Sequence, residues 1–390
     1  MDLDFTREQR EFREEVRIWL EENKPREERP HDSAARREYD LAWQRTQWES
    51  GWAGISWPAE YGGRGLSLLE QLIWYEEYGR AGLPSLDMTF VGLHHAGPTL
   101  MARADEDQKA AHLPPILKGE VVWCQGFSEP GAGSDLASLS THAEIDGDHL
   151  VVTGQKVWTS FADQADWQEL LVRTRREGSK HQGITWVICD MKSPGIDVRP
   201  IETMDGGHDF CEVFYDEVRI PLTHVVGEVD DGWRVAMATL SVERGTAFMA
   251  GQVRLASTVE RLIQMASERP GPKGRGSLLD DVEVARRLAE LRAENSALRA
   301  ITYLGVSRAA RTGTPGPEGS ITKLYFAELE QKVARTAMDL LGRDGLRMVS
   351  CWNRGGWSGQ WLTSFSASIG GGTSEIQRNI IGDRVLGLPR

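Results

Sequence analysis

The feature that most constrains the fold is a change of pattern along the chain, from helical to strand-like and back to helical. Near the start, Thr6 and Gln9 form a capping box ahead of Phe12, Val16 and Leu20, which recur at helical spacing. From about residue 121, short β-branched runs separated by turn signals replace this pattern, and after residue 232 the helical pattern returns. Helices and strands that occupy separate parts of a chain are typical of an α+β fold.

These three parts predict three domains: an N-terminal helical domain over residues 1–120, a middle β-domain over 121–230, and a C-terminal helical bundle over 231–390. The expected strands of the mainly antiparallel middle domain include residues 150–152, 156–158, 170–172, 184–188 and 213–215. The dipeptide Asp146-Gly147 predicts a hairpin turn before the first of these runs.

Composition excludes several classes of protein. The formal net charge of -13 argues against a nucleic-acid partner, because no general positive charge offsets phosphate repulsion. The sequence has no run of about 20 apolar residues that could cross a membrane, and its acidic start is unlike a secretory signal. The four cysteines lie far apart, which indicates reduced thiols without a disulfide framework or a zinc site. We therefore expect a cytoplasmic protein that binds no metal.

Three segments carry residues suited to binding and chemistry. The first, residues 123–135, reads WCQGFSEPGAGSD; the second, residues 154–160, reads GQKVWTS; the third, residues 372–378, reads GTSEIQR. Clustered glycines and serines allow close backbone approach to a ligand and offer N–H and O–H donors to carbonyl or anionic groups. Taken alone, the composition of the first segment is more typical of a plain surface turn than of a binding loop.

Together, in this order and at these separations, the segments resemble those of the acyl-CoA dehydrogenase family. Residues 51–65 and 116–120 are similar to that family as well, so the likeness covers nearly the whole chain. The resemblance implies an N-terminal helical domain, a middle β-barrel or sandwich and a C-terminal four-helix bundle. It also implies FAD-dependent α,β-dehydrogenation of an acyl thioester, with flavin N5 as the hydride acceptor.

The resemblance assigns the flavin ring to five residues of the first two segments. Gln125, Phe127 and Ser128 are expected to bond the ring through main chain and hydroxyl. Trp158 and Ser160 are expected to cover its other side, with Ser160 near N5. On sequence pattern alone, Trp158 fits an ordinary core position equally well.

The resemblance also assigns roles outside the ring. Ser134 is expected to contact the pantetheine arm of the thioester, and Thr373 and Glu375 the adenosine or pyrophosphate region of FAD. The backbone N–H of Gly371, together with a flavin ribityl hydroxyl, is expected to polarise the thioester carbonyl.

The catalytic base is missing from its commonest place. Many family members have a glutamate immediately before the C-terminal Gly-Thr, where this chain has Gly371. Others carry the glutamate on the first helix after the β-domain, just before an arginine, and Glu243-Arg244 matches that arrangement. Helical spacing places Glu243 with small apolar residues, which favours a raised pKa and a stronger base. The competing interpretation is a solvated Glu-Arg pair on an ordinary helix. If Glu243 is the base, Arg244 is expected to orient groups around the substrate.

Two further departures concern the oligomer. The Arg-x-x-Phe-Gly run that many members use to reach a neighbour's FAD is absent near residues 268–276, and Asp339 replaces a common glutamine. Both changes are similar to members that assemble as α2β2 from two different chains. We therefore expect a homo-oligomer, either dimer or tetramer, or a pairing with a related chain.

The substrate and the acceptor follow from the resemblance only as classes. The relevant subset resembles bacterial enzymes that act on bulky, branched or steroid-side-chain thioesters, but it also includes enzymes for other acyl groups. The carrier is either CoA or an acyl carrier protein. An electron-transfer flavoprotein or similar acceptor is expected to reoxidise the flavin. Two alternatives stay open: a partner subunit with little activity alone, and a flavin-dependent monooxygenase or nitroalkane oxidase on the same fold.

Overall fold

A computed structural model describes residues 5–242, 248–271, 274–312, 316–348 and 356–389. Within these residues the chain forms twelve α-helices and seven strands, in the order helices, strands, helices that the sequence predicts. The helices are α1 (Arg7–Asn23), α2 (Ser33–Glu49), α3 (Leu68–Arg80), α4 (Asp87–Phe90), α5 (Gly97–Arg103), α6 (Glu106–Lys118), α7 (Gly232–Val242), α8 (Phe248–Glu268), α9 (Val282–Thr312), α10 (Gly319–Leu341), α11 (Trp357–Ser364) and α12 (Ser374–Ile380). The strands are β1 (Trp123–Gly126), β2 (His142–Asp146), β3 (His149–Ser160), β4 (Trp167–Arg173), β5 (Ile184–Asp190), β6 (Ile196–Ile201) and β7 (Phe210–Pro221).

The chain forms two compact units, and neither is continuous in sequence. One, called here the helical unit, contains α1, α3 and the helices from α8 to α12. The other, called here the sheet unit, contains α2, the helices from α4 to α7, and all the described strands. The predicted domain boundaries near residues 120 and 230 stay a prediction.

The core of the helical unit is built from regularly spaced apolar side chains. On α8 these are Leu255, Val259, Leu262 and Ala266, a spacing of four, three and four residues that keeps them on one face. They pack with buried residues of α9 and α10, and the predicted helical bundle is confirmed. At the start of α1 the predicted capping box is confirmed too, because Thr6 accepts from the Gln9 N–H at 3.3 Å.

A buried carboxylate joins three helices of the helical unit. The side chain of Glu76 on α3 is fully buried and accepts hydrogen bonds from Arg13 of α1 at 2.8 Å and from Tyr303 of α9 at 2.6 Å. The Arg299 guanidinium of α9 donates to the same carboxylate at 2.9 Å. Although burial alone would raise the pKa of Glu76, these partners lower it, so the carboxylate stays charged.

The sheet is mainly antiparallel, as predicted. Its strand order is β1-β4-β2-β3-β7-β6, and β5 also pairs with β4. Along its full length β1 runs parallel to β4, whereas the pairs β2–β3, β3–β7, β4–β5 and β6–β7 are antiparallel. The predicted hairpin turn is confirmed, because Asp146 pairs with His149 across Gly147, whose φ is +61°.

Strand β4 is buried on both faces, which explains its continuous apolar run. Leu170 and Val172 pack inside the curled sheet with residues of β3 and β7. Leu171, on the opposite face, packs in the cluster that includes Ile116 of α6 and Val235 of α7. One face of β4 is therefore covered by helices of the sheet unit and the other by neighbouring strands.

Residues 51–65 support an irregular helix beside the sheet. Residues Val91–Ala96 form a π-helical turn, and the indole N–H of Trp57 donates to the Leu93 carbonyl at 2.9 Å. A Cβ at Gly97 would lie 2.1 Å from the Trp57 ring, so only glycine permits this contact. The π turn places His95 against β1.

No helix among the described residues has both the length and the apolarity to span a membrane. Likewise, the described part of the chain contains no group of three or more metal-ligating side chains. Cys124, Cys189 and Cys211 are free, buried thiols of the sheet.

Candidate active site

The first predicted binding segment begins as a strand and then leaves the sheet. Gln125 is the third residue of β1, and after Gly126 the chain turns away, with Phe127 buried and Ser128 half-buried. A Cβ at Gly126 would lie 2.6 Å from the amide of Gln168, so a side chain here would displace this buried amide, which accepts from the Tyr215 hydroxyl.

The Gln125 side chain has a fixed orientation. Its amide nitrogen donates to Glu169 of β4 at 2.7 Å and lies 3.2 Å from Nδ1 of His95 on the π turn. Both amide hydrogens are thereby directed toward the protein, so the amide oxygen faces the other way. The Gln125 side chain can therefore present an acceptor as well as its main chain.

Trp158 projects from a β-bulge on β3. The pairing of β3 with β7 shifts between Lys156 and Thr159, and Trp158 has a φ of +60°, which is uncommon for a large side chain. Its side chain is 57% exposed, and Phe210 meets the ring edge-on with centroids 6.1 Å apart. The bulge therefore turns a large flat apolar surface outward instead of into the core.

The structure brings the first two segments together. The Val157 N–H donates to the Ser128 carbonyl at 2.9 Å, and the Lys156 ammonium donates to the Phe127 carbonyl at 3.2 Å. Among the described residues, the N–H groups of Phe127 and Ser128 and the Ser128 hydroxyl have no hydrogen-bond partner. Unused donors thus lie on the loop that is bonded to the strand carrying Trp158.

The site also contains a buried ion pair that the sequence interpretation missed. Lys156 is fully buried and lies 2.7 Å from Glu129, which is 6% exposed. Burial lowers the pKa of Lys156 to about 8 despite the opposing effect of Glu129. Burial alone would raise the pKa of Glu129, but Lys156 and the N–H groups of Ser140 and Thr141 lower it to about 2. Lys156 lies an even number of residues after the buried Leu150 and Val152, so the alternation of side chains along β3 places it on the same buried face. Its burial could have been predicted from this alternation.

The third segment belongs to the helical unit and forms a glycine turn before α12. Gly371 and Gly372 have φ values of +63° and +87°, and the Thr373 hydroxyl caps α12 by accepting from the Ile376 N–H at 3.3 Å. Glu375 follows in the first turn and is exposed; hydrogen bonds from its own N–H and from Thr373 lower its pKa.

Two buried side chains hold the carbonyls of this glycine turn. The Gln377 amide donates to the Gly371 carbonyl at 2.9 Å, and the Lys323 ammonium of α10 donates to the Gly372 carbonyl at 2.7 Å. Because a trans peptide directs its C=O and N–H to opposite sides, the N–H groups of Gly372 and Thr373 point away from these two side chains. Neither N–H has an acceptor among the described residues.

For the remaining predicted site residues, the structure gives only their exposure or strand pairing, or does not describe them. Ser134 is exposed on the loop after β1. Ser160, at the end of β3, is half-buried and pairs with Phe210. Glu243 and Arg244 lie outside the described residues, one and two positions beyond the end of α7. The assigned roles of all these residues stay predictions.

Each compact unit has a set of donors that fits a different part of FAD. The N–H groups of Phe127 and Ser128 and the Ser128 hydroxyl suit the carbonyl edge of an isoalloxazine ring, and the exposed Trp158 indole suits its flat face. In the helical unit, the N–H groups of Gly372 and Thr373 suit hydroxyl or phosphate oxygens. This fit rests on two loops, one in each unit. In both loops side chains hold the backbone carbonyls, and N–H groups have no acceptor among the described residues.

Comparisons with known proteins agree with this fit. Three family models match the chain: the acyl-CoA dehydrogenase N-terminal domain over residues 6–120, the middle domain over 124–218 and the C-terminal domain over 230–386. A curated relative, acyl-CoA dehydrogenase IpdE1 of Mycobacterium tuberculosis, is 38% identical, and the match covers 97% of this chain and 98% of that protein.

Two solved structures are similar over their whole length. The structure called "Tcur3481-Tcur3483 steroid ACAD" is 33% identical with a TM-score of 0.85, and the match covers 100% of both chains. The ChsE4-ChsE5 complex from Mycobacterium tuberculosis contains a chain that is 32% identical with a TM-score of 0.84, again over 100% of both chains.

Proposed function

Because this chain belongs to the acyl-CoA dehydrogenase family, whose cofactor is FAD, we propose that it introduces a double bond between Cα and Cβ of an acyl thioester. The reaction breaks one C–H bond at each carbon, giving a proton from Cα and a hydride from Cβ. FAD, when bound, supplies the hydride acceptor at flavin N5. The unused donors beside the exposed Trp158 are the observation that carries this proposal.

The chain's own residues would bind the cofactor and shield it from water. Ser128 would donate its N–H and its hydroxyl to the ring, while Gln125 and Phe127 would complete the contacts on the same loop. Trp158 would cover the ring face, with Ser160 beside it on the same strand. Thr373 and Glu375 would hold the adenosine or pyrophosphate part.

The thioester would be activated by a backbone donor and a carboxylate. A hydrogen bond from the Gly371 N–H to the thioester carbonyl would stabilise the enolate-like charge that forms as the Cα proton leaves. Glu243 would take that proton, and Arg244 would orient neighbouring groups. The support for Glu243 is its sequence position directly after α7, where Ala236 and Thr239 are fully buried, so the helix leads from the core of the sheet unit.

A bulky acyl group is the substrate class that we propose, carried on CoA or on an acyl carrier protein and bound partly by Ser134. One of the similar structures is named as a steroid enzyme, which supports a polycyclic or branched acyl chain. The glycine at position 371 leaves space where many relatives have a glutamate side chain.

The test is to purify the chain and add acyl thioesters to the oxidised enzyme while the flavin absorbance is recorded. We expect bleaching by a steroid-side-chain or other branched acyl-CoA, and slower bleaching by a straight-chain acyl-CoA of equal carbon number. The same thioester with both Cβ hydrogens replaced by methyl groups is the control, because it has no hydride to lose. An enzyme that no thioester bleaches, but that consumes oxygen when a flavin reductase is added, would contradict the proposal in favour of a monooxygenase.

A partner chain is a second proposal with its own support. Asp339, which replaces a common glutamine, forms an ion pair with Arg287 of α9 at 2.7 Å, which a glutamine could not form. One of the similar structures is a complex of two differently named chains. We propose that this chain is completed either by a second copy or by a related chain, and that an electron-transfer flavoprotein or similar acceptor removes the electrons.

A further inference from the structure

The Lys156–Glu129 pair forms most of its hydrogen bonds with main-chain groups of the first binding segment and the residues that follow it. Lys156 donates to the Phe127 carbonyl, and Glu129 accepts from the Ser140 N–H at 2.6 Å and the Thr141 N–H at 2.9 Å. Apart from a bond with the Ser140 hydroxyl at 2.8 Å and the bond between the two charges, every hydrogen bond that these two groups make with the described residues is with main chain. The pair therefore holds the path of the backbone over residues 127–141.

We propose that Lys156 and Glu129 are positioning residues that aim the Ser128 N–H and hydroxyl at the flavin ring. This inference rests on the proposed function, in which Ser128 contacts the ring, and it deepens that function. Neither Lys156 nor Glu129 needs to touch the cofactor.

Peptide geometry gives the direction. The Phe127 carbonyl points to the buried Lys156, and in a planar trans peptide the N–H of the next residue points the opposite way. The Ser128 N–H is therefore directed away from the buried ammonium. The next peptide is fixed as well, because the Ser128 carbonyl accepts from the Val157 N–H at 2.9 Å. With both flanking peptides held, the Ser128 N–H cannot turn inward, and the Cα–Cβ bond that carries the hydroxyl leaves the backbone in a fixed direction.

The far end of the loop is fixed by the same pair. Glu129 binds the N–H groups of Ser140 and Thr141, and the Thr141 hydroxyl exchanges hydrogen bonds with the Gln155 carbonyl at 3.1 Å and the Gln155 N–H at 3.2 Å. Both ends of the loop are thus attached to the stretch of β3 directly before Trp158. Donors on the loop and the indole on the strand are held in one frame.

Stability alone does not explain a buried ion pair at this place. Removing two charges from water costs free energy that their attraction often fails to recover, and apolar residues of similar volume are frequently as stabilising. Apolar residues could not bind the Phe127 carbonyl or the Ser140 and Thr141 N–H groups. What the pair contributes beyond packing is therefore a defined orientation of the loop.

The experiment compares the double variant K156M/E129Q with the wild-type holoenzyme. The double change leaves no unpaired buried charge, but it removes the donor to the Phe127 carbonyl, so we expect a moderately lower melting temperature. We measure FAD affinity by fluorescence titration of the apoenzyme, and the reduction potential of the bound flavin. We expect the dissociation constant of FAD to rise by about 10-fold or more, which is the effect of losing one well-oriented set of hydrogen-bond donors. We also expect the reduction potential of the bound flavin to shift.

A second buried ion pair of the sheet unit is the matched control. Arg29 donates to Asp40 at 2.7 Å, and their side chains are 12% and 6% exposed. R29M/D40N also leaves Asp87 without Arg29, which lies 3.1 Å away, so it is expected to lower the melting temperature while FAD affinity and flavin potential stay at their wild-type values.

Wild-type FAD affinity and potential in K156M/E129Q would overturn the inference, as would a lower melting temperature with an unchanged potential. Should the double variant not fold, E129Q alone retains the shape of the side chain and is judged by the same two measurements. A wild-type holoenzyme that no acyl thioester bleaches would count against the proposed function, but it leaves this comparison of FAD affinities in force.

Discussion

Single residues in unfavourable backbone conformations mark the site. Among the described residues, four non-glycine residues have positive φ, and two of them, Trp158 and Phe161, lie on either side of the Thr159-Ser160 dipeptide. Such conformations cost about 1–3 kcal/mol each and persist where the surrounding structure enforces them. At Trp158 this conformation accompanies the β-bulge that turns its side chain out of the sheet. The observed outlier therefore supports a binding role for the Trp158 indole.

Gly371 is likewise more than a site where a side chain has been lost. Its φ of +63° lies in the left-handed region, which a glutamate would adopt only at a cost of about 1 kcal/mol or more. Restoring a base by Gly371→Glu would therefore disturb the glycine turn that Gln377 and Lys323 hold. This strengthens the proposal that the base lies elsewhere on the chain.

We expect Glu243→Gln to slow flavin reduction strongly while FAD still binds. Glutamine keeps the size of the side chain but cannot accept the Cα proton, and loss of a general base typically costs about 10²–10⁴-fold. The measurement is single-turnover bleaching by saturating thioester. Glu260→Gln, the same change at an exposed residue of α8, is the control and should bleach at the wild-type rate. A Glu243→Gln enzyme as fast as the wild type would assign the proton to a different carboxylate.

At the scale of the element, the sequence was informative wherever a local rule decides the structure. The Thr6 capping box, the turn at Gly147 and the apolar run of β4 follow from local patterns. The partners of Lys156 and Glu76 could not be predicted, because each meets groups far away in the chain. For the same reason, the motifs identified Ser128 and Trp158 but not the pair that holds their loop and strand together.

We expect the buried carboxylate of Glu76 to be a main stabilising contact between α1, α3 and α9. Glu76→Ala would leave Arg13 and Arg299 without this partner, and breaking a buried ion pair typically costs about 3–5 kcal/mol. The free energy of unfolding of the protein, from a urea titration, is the measurement. Glu260→Ala breaks an exposed pair with Arg292 and should cost less than about 1 kcal/mol. Equal losses in the two variants would refute the assignment.

At the scale of the whole molecule, the predicted α+β architecture is confirmed, whereas the assembly stays a proposal. The two groups of predicted FAD contacts lie in different compact units: the loop and β3 in the sheet unit, the glycine turn in the helical unit. Assembly depends on surfaces whose complementarity a single sequence does not encode by any local rule. The absence of the Arg-x-x-Phe-Gly run and the pairing of Asp339 with Arg287 are the features that bear on it.

We expect the purified protein to be an oligomer with closed symmetry, and its flavin content to reveal whether it pairs with itself or with a related chain. A self-sufficient homo-oligomer should carry one FAD per chain by absorbance after denaturation. A chain that requires a different partner should purify with little or no flavin, and should gain half an FAD per chain when co-expressed with that partner.

Light scattering supplies the molar mass, and Asp339→Gln is the informative variant, because it removes the pairing with Arg287 and restores the residue common in self-pairing relatives. In a chain that needs a different partner, this single change should raise flavin content only slightly, since the second missing contact, the Arg-x-x-Phe-Gly run, is still absent. A monomer that retains a full complement of FAD would contradict both forms of assembly, because neither copy nor partner would then be completing the site.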